Sequence, residues 1–166
     1  MKARETRASP DGVELAPAVP EQAALLTGLA FRSKSHWGYP VSWLEEWRPT
    51  LTVTGEQIAS ESVVVARLDA AVVGFYALHV DGARASVEHL WVEPAAMGRG
   101  VGRALFAHAA AEAASRGCDV LEIDSDPNAE PFYVAMGAVR TGTVAAPVAG
   151  LPRELPRLEL RLARRA

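Results

Sequence analysis

The sequence predicts a mixed α/β (α+β) fold, in which a mostly antiparallel central sheet of about seven strands is flanked by helices. Three β-rich runs follow one another at residues 62–68, 72–80 and 84–92, and short polar turns join them, a pattern typical of an antiparallel meander. A glycine-rich turn then leads into an amphipathic helix over residues 100–116. Strands and helices in this order favour one sheet with helices packed on it.

The remaining predicted elements lie on either side of this region. Val13 and Leu15 alternate with polar neighbours, which indicates a short strand, and leucines at helical spacing indicate a helix that breaks at residues 38–40. In chain order the further elements are a strand ending near Pro17, a helix from Pro20 to about Ser35, a helix containing Trp43, Leu44 and Trp47 that stops before Pro49, a turn capped by Thr54, a strand at 120–124, a short helix at 128–136, and paired strands at 138–144 and 155–162.

Length and charge limit the classes of protein that fit. The 166 residues suit one domain, and residues 1–10 are polar, so we expect a disordered tail over 1–10 and a single domain over 11–166. With a formal net charge of −3, nothing in the sequence suggests nucleic acid as a partner. No apolar run approaches the ~20 residues that cross a bilayer, so no membrane partner is expected.

The cysteine and histidine residues indicate the compartment and argue against a metal. Cys118 is the one cysteine and cannot form an internal disulfide, which fits a protein of the reducing cytoplasm. The four histidines have no partner at the spacing of a metal site, so no metal is expected.

A glycine-rich turn carries the strongest functional signal. Gly98, Gly100 and Gly102 lie between an apolar strand and the start of a helix, so backbone N–H groups can converge on a phosphate at the positive end of the helix dipole. Arg99 and Arg103 add positive charge. The spacing G-x-G-x-G is neither the dinucleotide pattern nor a nucleoside triphosphate loop. The turn predicts a phosphorylated ligand, the alternative being a turn that only packs the helix against the strand.

A second segment, residues 126–138, contains Asn128, the aromatic pair Phe132-Tyr133, and Gly137 at the end of a short helix. Together with the glycine-rich turn it resembles the GCN5-related N-acetyltransferase (GNAT) superfamily over residues 61–145. The family's first motif, [Q/R]-x-x-G-x-[G/A], corresponds here to residues 97–102. Met97 replaces the usual Gln or Arg, which puts one side-chain contact to the cofactor in doubt but leaves the backbone N–H groups in place.

The resemblance implies an N-acetyltransferase that uses acetyl-CoA as co-substrate, needs no metal, and transfers the acetyl group to a primary amine directly in a ternary complex. It also implies a sheet whose fourth and fifth strands splay apart to admit acetyl-CoA, with the Val92 N–H donating to the thioester oxygen. The alternative is a non-catalytic acyl-CoA-binding sensor or interaction module of the same fold. The implied cofactor-binding residues are Leu90, Trp91, Val92, Met97, Gly98, Arg99, Gly100, Val101, Gly102, Arg103 and Asn128.

Glu88 is the candidate general base. Alternation along a strand would place Ser86, Glu88, Leu90 and Val92 on one face, with the carboxylate pointing to the gap where the acceptor meets the thioester. The alternative is a cross-strand ion pair with an arginine. His89 faces the other way in this scheme and is predicted to be a hydrogen-bonded structural histidine.

Tyr133 is the candidate general acid. In the family, the matching tyrosine lies beside the sulfur and protonates the leaving thiolate. The alternative is a core aromatic on a short helix, which we expect for the neighbouring Phe132. Asn128 can both cap this helix and contact the pantetheine arm.

The acceptor side is predicted at the helix break, where Trp37 and Tyr39 offer aromatic faces that would suit a hydrophobic or cationic amine. The alternative is that these rings cover the sheet as core, as we expect for Trp47. The partner is therefore a small-molecule or peptide amine, and this fold also makes a homodimer possible.

Overall fold

A mixed sheet runs through the protein, and its strand order determines where a site can form. The computed structural model describes residues 7–8 and 11–163. Within them the seven longest strands are β1 (Glu14–Pro17), β2 (Ser62–Leu68), β3 (Ala71–Asp81), β4 (Arg84–Val92), β5 (Val120–Asp124), β6 (Val139–Ala145) and β7 (Glu154–Arg161). Their order is β1-β2-β3-β4-β5-β7-β6, and neighbours are antiparallel except β4 and β5, which are parallel. The predicted fold class is confirmed.

A further two-residue strand, Arg7–Ala8, pairs antiparallel with β1 and extends that edge of the sheet. It falls within the segment predicted as a disordered tail. Residues 1–6 and 9–10 of that segment, and residues 164–166, lie outside the described residues.

Helices cover both faces of the sheet. Within the described residues they are α1 (Ala23–Ser35), α2 (Val41–Glu46), α3 (Arg48–Leu51), α4 (Gly55–Ser60), α5 (Val101–Ser115) and α6 (Glu130–Ala135), with short 3-10 turns at Pro20–Gln22, Pro94–Ala96 and Pro127–Ala129. The predicted cap is confirmed, since the Gln57 N–H donates to Oγ1 of Thr54 over 3.0 Å. Pro49 lies in the first turn of α3, where a helix needs no N–H from it. None of the described helices is both long and apolar enough to cross a membrane.

Two hydrophobic cores lie on opposite faces of the sheet. On one face, α5 buries Leu105 and Phe106 against Tyr76 and Leu121. On the other face, α1 buries Leu26 and its neighbours against strand residues such as Phe75, with contributions from α3 and α4. Since Phe75 and Tyr76 are adjacent on β3 and point to opposite faces, this one strand contributes to both cores.

A β-bulge interrupts β4 at Glu88. Opposite β3, His89 pairs with Ala77 and Val87 pairs with Leu78, so Glu88 has no opposing residue. An extra residue of this kind bends the strand and reverses the alternation of side chains beyond it.

The bulge changes which β4 side chains share a face. Leu90 and Val92 pack against the same core as Ala85 and Val87. The predicted common face of Ser86, Glu88, Leu90 and Val92 is therefore wrong, because the alternation rule assumes an uninterrupted strand.

The parallel pairing of β4 with β5 covers Arg84, Ala85 and Ser86 and stops before the bulge. Beyond Ser86, β5 stays paired with β7 up to Asp124, while β4 stays paired with β3 up to Val92. The two strands consequently separate, as the resemblance predicted for the fourth and fifth strands.

Candidate functional site

A cleft of about 470 Å³ lies where β4 and β5 separate. Its walls come from the second half of β4, the glycine-rich turn, the start of α5, the segment after β5, and α6. The predicted site residues that line it are Trp37, Glu88, Leu90, Trp91, Val92, Met97, Gly98, Gly100, Val101, Gly102, Arg103, Asn128 and Tyr133. Arg99 and Tyr39 are the predicted site residues that are not part of its wall.

The glycine-rich turn forms one end of the cleft. Gly98 and Gly100 adopt left-handed backbone conformations, with φ of +78° and +84°, which other residues adopt only at a cost. Gly100 is the N-cap of α5, and no side chain caps the helix there. The first N–H groups of this fifteen-residue helix are thus available to an anion, with Arg103 in the same wall.

Gly102 allows a close approach between α5 and α6. A Cβ atom at this position would lie 3.4 Å from Cε2 of Phe132 and 3.8 Å from Cγ2 of Val92. A side chain there would extend into the space between the turn, β4 and α6, so the glycine keeps this part of the cleft open.

In the second half of β4, every second residue directs its backbone N–H and C=O groups into the cleft. Just beyond β4, the Glu93 N–H donates to the carbonyl of Val73 on β3 over 2.7 Å. Along an antiparallel strand, alternate residues direct their N–H and C=O groups to opposite sides. Glu93 and Trp91 therefore face β3, whereas the N–H and C=O groups of Leu90 and Val92 are directed toward β5. Because β5 has separated there, an extended ligand could add to this edge as a strand does.

Glu88 projects at the bulge and is exposed. Its Oε1 accepts a hydrogen bond from Oγ of Ser86 over 2.8 Å. Within the described part of the chain no cation lies within ion-pair distance of it; Arg84, the arginine on the same strand, pairs with Glu122 and Glu159. The arrangement does not support the alternative reading of Glu88 as half of an ion pair.

Tyr133 lies at the opposite wall, on α6. It is buried against Phe106, with ring centroids 5.4 Å apart, and against Phe132 at 5.1 Å. Burial raises the pKa of the Tyr133 hydroxyl well above its usual range, and the negative charge of Asp126 adds to the shift. The hydroxyl therefore keeps its proton at neutral pH and can act as a hydrogen-bond donor in the cleft.

His89 has the structural role that the sequence predicted. Its side chain is 7% exposed, its ring lies 5.7 Å from that of Phe75, and its Nδ1 accepts a hydrogen bond from Nε1–H of Trp91 over 3.0 Å. Burial lowers the pKa of His89 to about 4, so the imidazole is neutral at physiological pH.

A buried polar cluster at the wall of the cleft, centred on Asp126, was not predicted. Asp126, in the segment after β5, accepts a hydrogen bond from Nζ of Lys34 over 2.6 Å and from the hydroxyl of Tyr39 over 2.9 Å. Arg153, just before β7, lies 3.5 Å from the same carboxylate oxygen. Burial alone would raise the pKa of Asp126, but the hydrogen bond and charge of Lys34 outweigh it, and the pKa is lowered. The carboxylate is consequently ionised.

The aromatic residues of the helix break divide into two groups. Trp37 lines the cleft and is 41% exposed, so it remains available to an acceptor. Tyr39 is not part of the wall, and its hydroxyl instead donates to Asp126, which lines the cleft. The Lys34 ammonium lies 4.3 Å from the ring centroid of Trp47 and 5.0 Å from that of Tyr39, so these faces already hold a cation of the protein itself. One sequence signal for this cluster existed, since Lys34 is one of only two lysines in the chain.

Comparison with known proteins agrees with this arrangement. Residues 29–138 match the acetyltransferase (GNAT) family. The chain belongs to this family. No match was found among curated protein sequences.

Solved structures show that the whole chain has the GNAT fold. A GCN5-related N-acetyltransferase from Rhodopseudomonas palustris is 21% identical, with 98% of this chain and 99% of that chain covered and a TM-score of 0.75. PaiA N-acetyltransferase from Thermoplasma acidophilum, solved with coenzyme A, is 17% identical over 90% of this chain and 98% of that chain, with a TM-score of 0.69. YncA from Salmonella typhimurium, solved with acetyl-CoA, is 20% identical over 93% and 96%, with a TM-score of 0.66.

The described residues fit a coenzyme A molecule better than a metal ion. The uncapped start of α5 suits phosphate, and the open edge of β4 suits an extended amide-containing arm. No group of three or more His, Cys, Asp or Glu side chains that could hold a metal occurs within the described ranges.

The burial of His89 leads to a testable effect of pH on stability. Its folded pKa of about 4 lies below the ordinary value of 6.5, so the unfolded chain takes up a proton first as pH falls through 6.5 towards 4. We expect the free energy of unfolding to fall by about 2 kcal/mol more between pH 6.5 and 4.5 in the native protein than in His89→Gln. Urea denaturation at both pH values measures this. His79→Gln, at an exposed histidine, is the control, and equal pH dependence in the native protein and His89→Gln would contradict the prediction.

Proposed function

We propose that this GNAT protein is an acetyl-CoA-dependent N-acetyltransferase that transfers the acetyl group to a primary amine by direct attack in a ternary complex. The single observation that carries the proposal is the cleft, which combines an uncapped helix start, an open strand edge, an exposed carboxylate and a protonated tyrosine hydroxyl. Acetyl-CoA supplies the activated acetyl group as a thioester.

Cofactor binding is assigned to the turn and to β4. The N–H groups at the start of α5 bind the pyrophosphate, with the charge of Arg103 beside them. Leu90 and Val92 provide backbone groups along which the pantetheine arm lies as an added strand. The Val92 N–H donates to the thioester oxygen and stabilises the negative charge that develops there during attack.

Proton transfer is assigned to the two walls of the cleft. The Glu88 carboxylate accepts a proton from the attacking amine, directly or through a water molecule, and Tyr133 donates one to the thiolate as the C–S bond breaks. Trp37 contributes to the wall on the acceptor side, where a small-molecule or peptide amine would bind.

The decisive experiment measures thiol release from acetyl-CoA with a panel of amines that includes a polyamine, an amino acid and a peptide with a free N-terminus. Release that depends on the amine and yields the N-acetylated product supports the proposal. Tight binding of acetyl-CoA with no release for any amine class would instead indicate a binding module, the reading that Met97 favours.

Gly102→Glu tests the phosphate site. The added side chain enters the narrow space beside Phe132 and brings a negative charge to the anion site, so we expect CoA affinity to fall at least about tenfold. A glutamate in the first turn favours the helix itself, so the variant should fold. Calorimetry measures the dissociation constant. Gly142→Glu, where a Cβ meets no atom within 4 Å, is the matched control, and equal affinity in both variants would contradict the assignment.

Tyr133→Phe tests the acid, because it removes one hydroxyl and little volume. We expect kcat to fall about 10²-fold with little change in KM for acetyl-CoA. Steady-state kinetics measure both constants. Tyr76→Phe, which removes a buried hydroxyl elsewhere, should leave kcat unchanged. Full activity of Tyr133→Phe at every pH would show that the ring serves only in packing.

Glu88→Gln tests the base. The reaction needs the free amine, which is scarce at low pH, so we expect the variant to lose most activity at the acidic end of the pH profile of kcat/KM. Because Glu88 is exposed at the bulge, we expect the variant to keep the native fold, and circular dichroism checks this. A profile identical to that of the native protein would assign the base to another group or to water.

A further inference from the structure

The polar cluster around Asp126 connects three parts of the chain that are distant in sequence. Lys34 comes from α1, Tyr39 from the connection to α2, and Arg153 from the segment before β7. The side chains of Lys34, Asp126 and Arg153 are 9%, 7% and 12% exposed. Burying these charges costs desolvation free energy, which suggests that the cluster has a role beyond stability.

The cluster reaches the cleft at Asp126 and Asn128, which both line its wall. The side-chain nitrogen of Asn128 donates to Oδ1 of Asp126 over 3.0 Å and to the Tyr39 hydroxyl over 3.1 Å. The backbone N–H of Asn128 also donates to Oδ1 of Asp126, over 2.8 Å. Both donors of the side-chain amide are therefore used within the cluster.

The chemistry of the partners determines which way the amide points. An ionised carboxylate accepts hydrogen bonds only, so it is the nitrogen of Asn128 that must face Asp126. The Tyr39 hydroxyl gives its proton to Asp126 and accepts from Asn128 and from Arg153, whose Nη2 lies 3.0 Å away. With the nitrogen fixed, the amide oxygen is the atom left for a ligand.

We propose that Asp126 and Tyr39 are positioning residues, which hold the Asn128 amide so that its oxygen accepts a hydrogen bond from an amide N–H of the pantetheine arm. Lys34 and Arg153 keep the carboxylate ionised and in place. This inference rests on the proposed function, because it assigns the pantetheine arm to the part of the cleft that Asn128 lines.

Tyr39→Phe is the sharpest test. Asp126→Asn would leave two buried cations without their carboxylate and threaten the fold, whereas Tyr39→Phe removes one hydroxyl and keeps the ion pairs. We expect Tyr39→Phe to weaken CoA binding about three- to tenfold, and we expect a loss of the same size for Asn128→Ala. The double variant should bind no more weakly than Asn128→Ala alone, because Tyr39 acts through Asn128.

A ligand without the pantetheine arm separates positioning from a general structural effect. Adenosine 3′,5′-bisphosphate should bind native protein, Tyr39→Phe and Asn128→Ala equally well in calorimetry. Tyr76→Phe, outside the cluster, is the control and should retain CoA affinity.

Each result decides between the hypotheses. Additive losses in the double variant, an equal loss of adenosine bisphosphate binding, or unchanged CoA binding by Tyr39→Phe would overturn the positioning role. Failure of the native protein to bind CoA would overturn the proposed function, and the positioning role with it.

Discussion

The bulge at Glu88 is the constraint on which the site depends. It lies two residues beyond Ser86, the last residue of β4 that pairs with β5, and each strand remains paired on its other side, β4 with β3 and β5 with β7. The strands cannot close again beyond that point, so β4 presents backbone groups that would otherwise be satisfied within the sheet. The cleft thus opens at the place where the extra residue interrupts the β3–β4 ladder, and the glycine-rich turn and α6 form its ends.

Sequence patterns predicted the elements well because the signals are local. The meander follows from β-rich runs and tight turns, and the start of α5 follows from glycines with left-handed backbone. The bulge has no such signal, since an inserted residue looks like any other strand residue. The alternation argument therefore wrongly placed Ser86 on the face of Leu90 and Val92, whereas Glu88 lies in the wall of the cleft with them.

The cluster around Asp126 shows a different limit. Lys34 and Asp126 are 92 residues apart, and Arg153 and Tyr39 are 114 apart, so no local pattern could pair them. The aromatic faces of Trp37 and Tyr39 were predicted to suit a hydrophobic or cationic amine, and Trp47 was predicted to be core. What the sequence did not reveal is that two cations of the protein itself, from Lys34 and Arg153, occupy the faces of Tyr39 and Trp47.

The division of the interior into two cores has an evolutionary consequence. The residues assigned to coenzyme A belong mainly to the α5 face, whereas α1, α3 and α4 build their own core on the opposite face. Substitutions that reshape the α1–α4 region can accumulate with little effect on the packing behind the glycine-rich turn. A lineage could in this way adopt new amines while it retains the same acyl donor, provided that the contacts of Lys34 and Tyr39 with Asp126 are preserved.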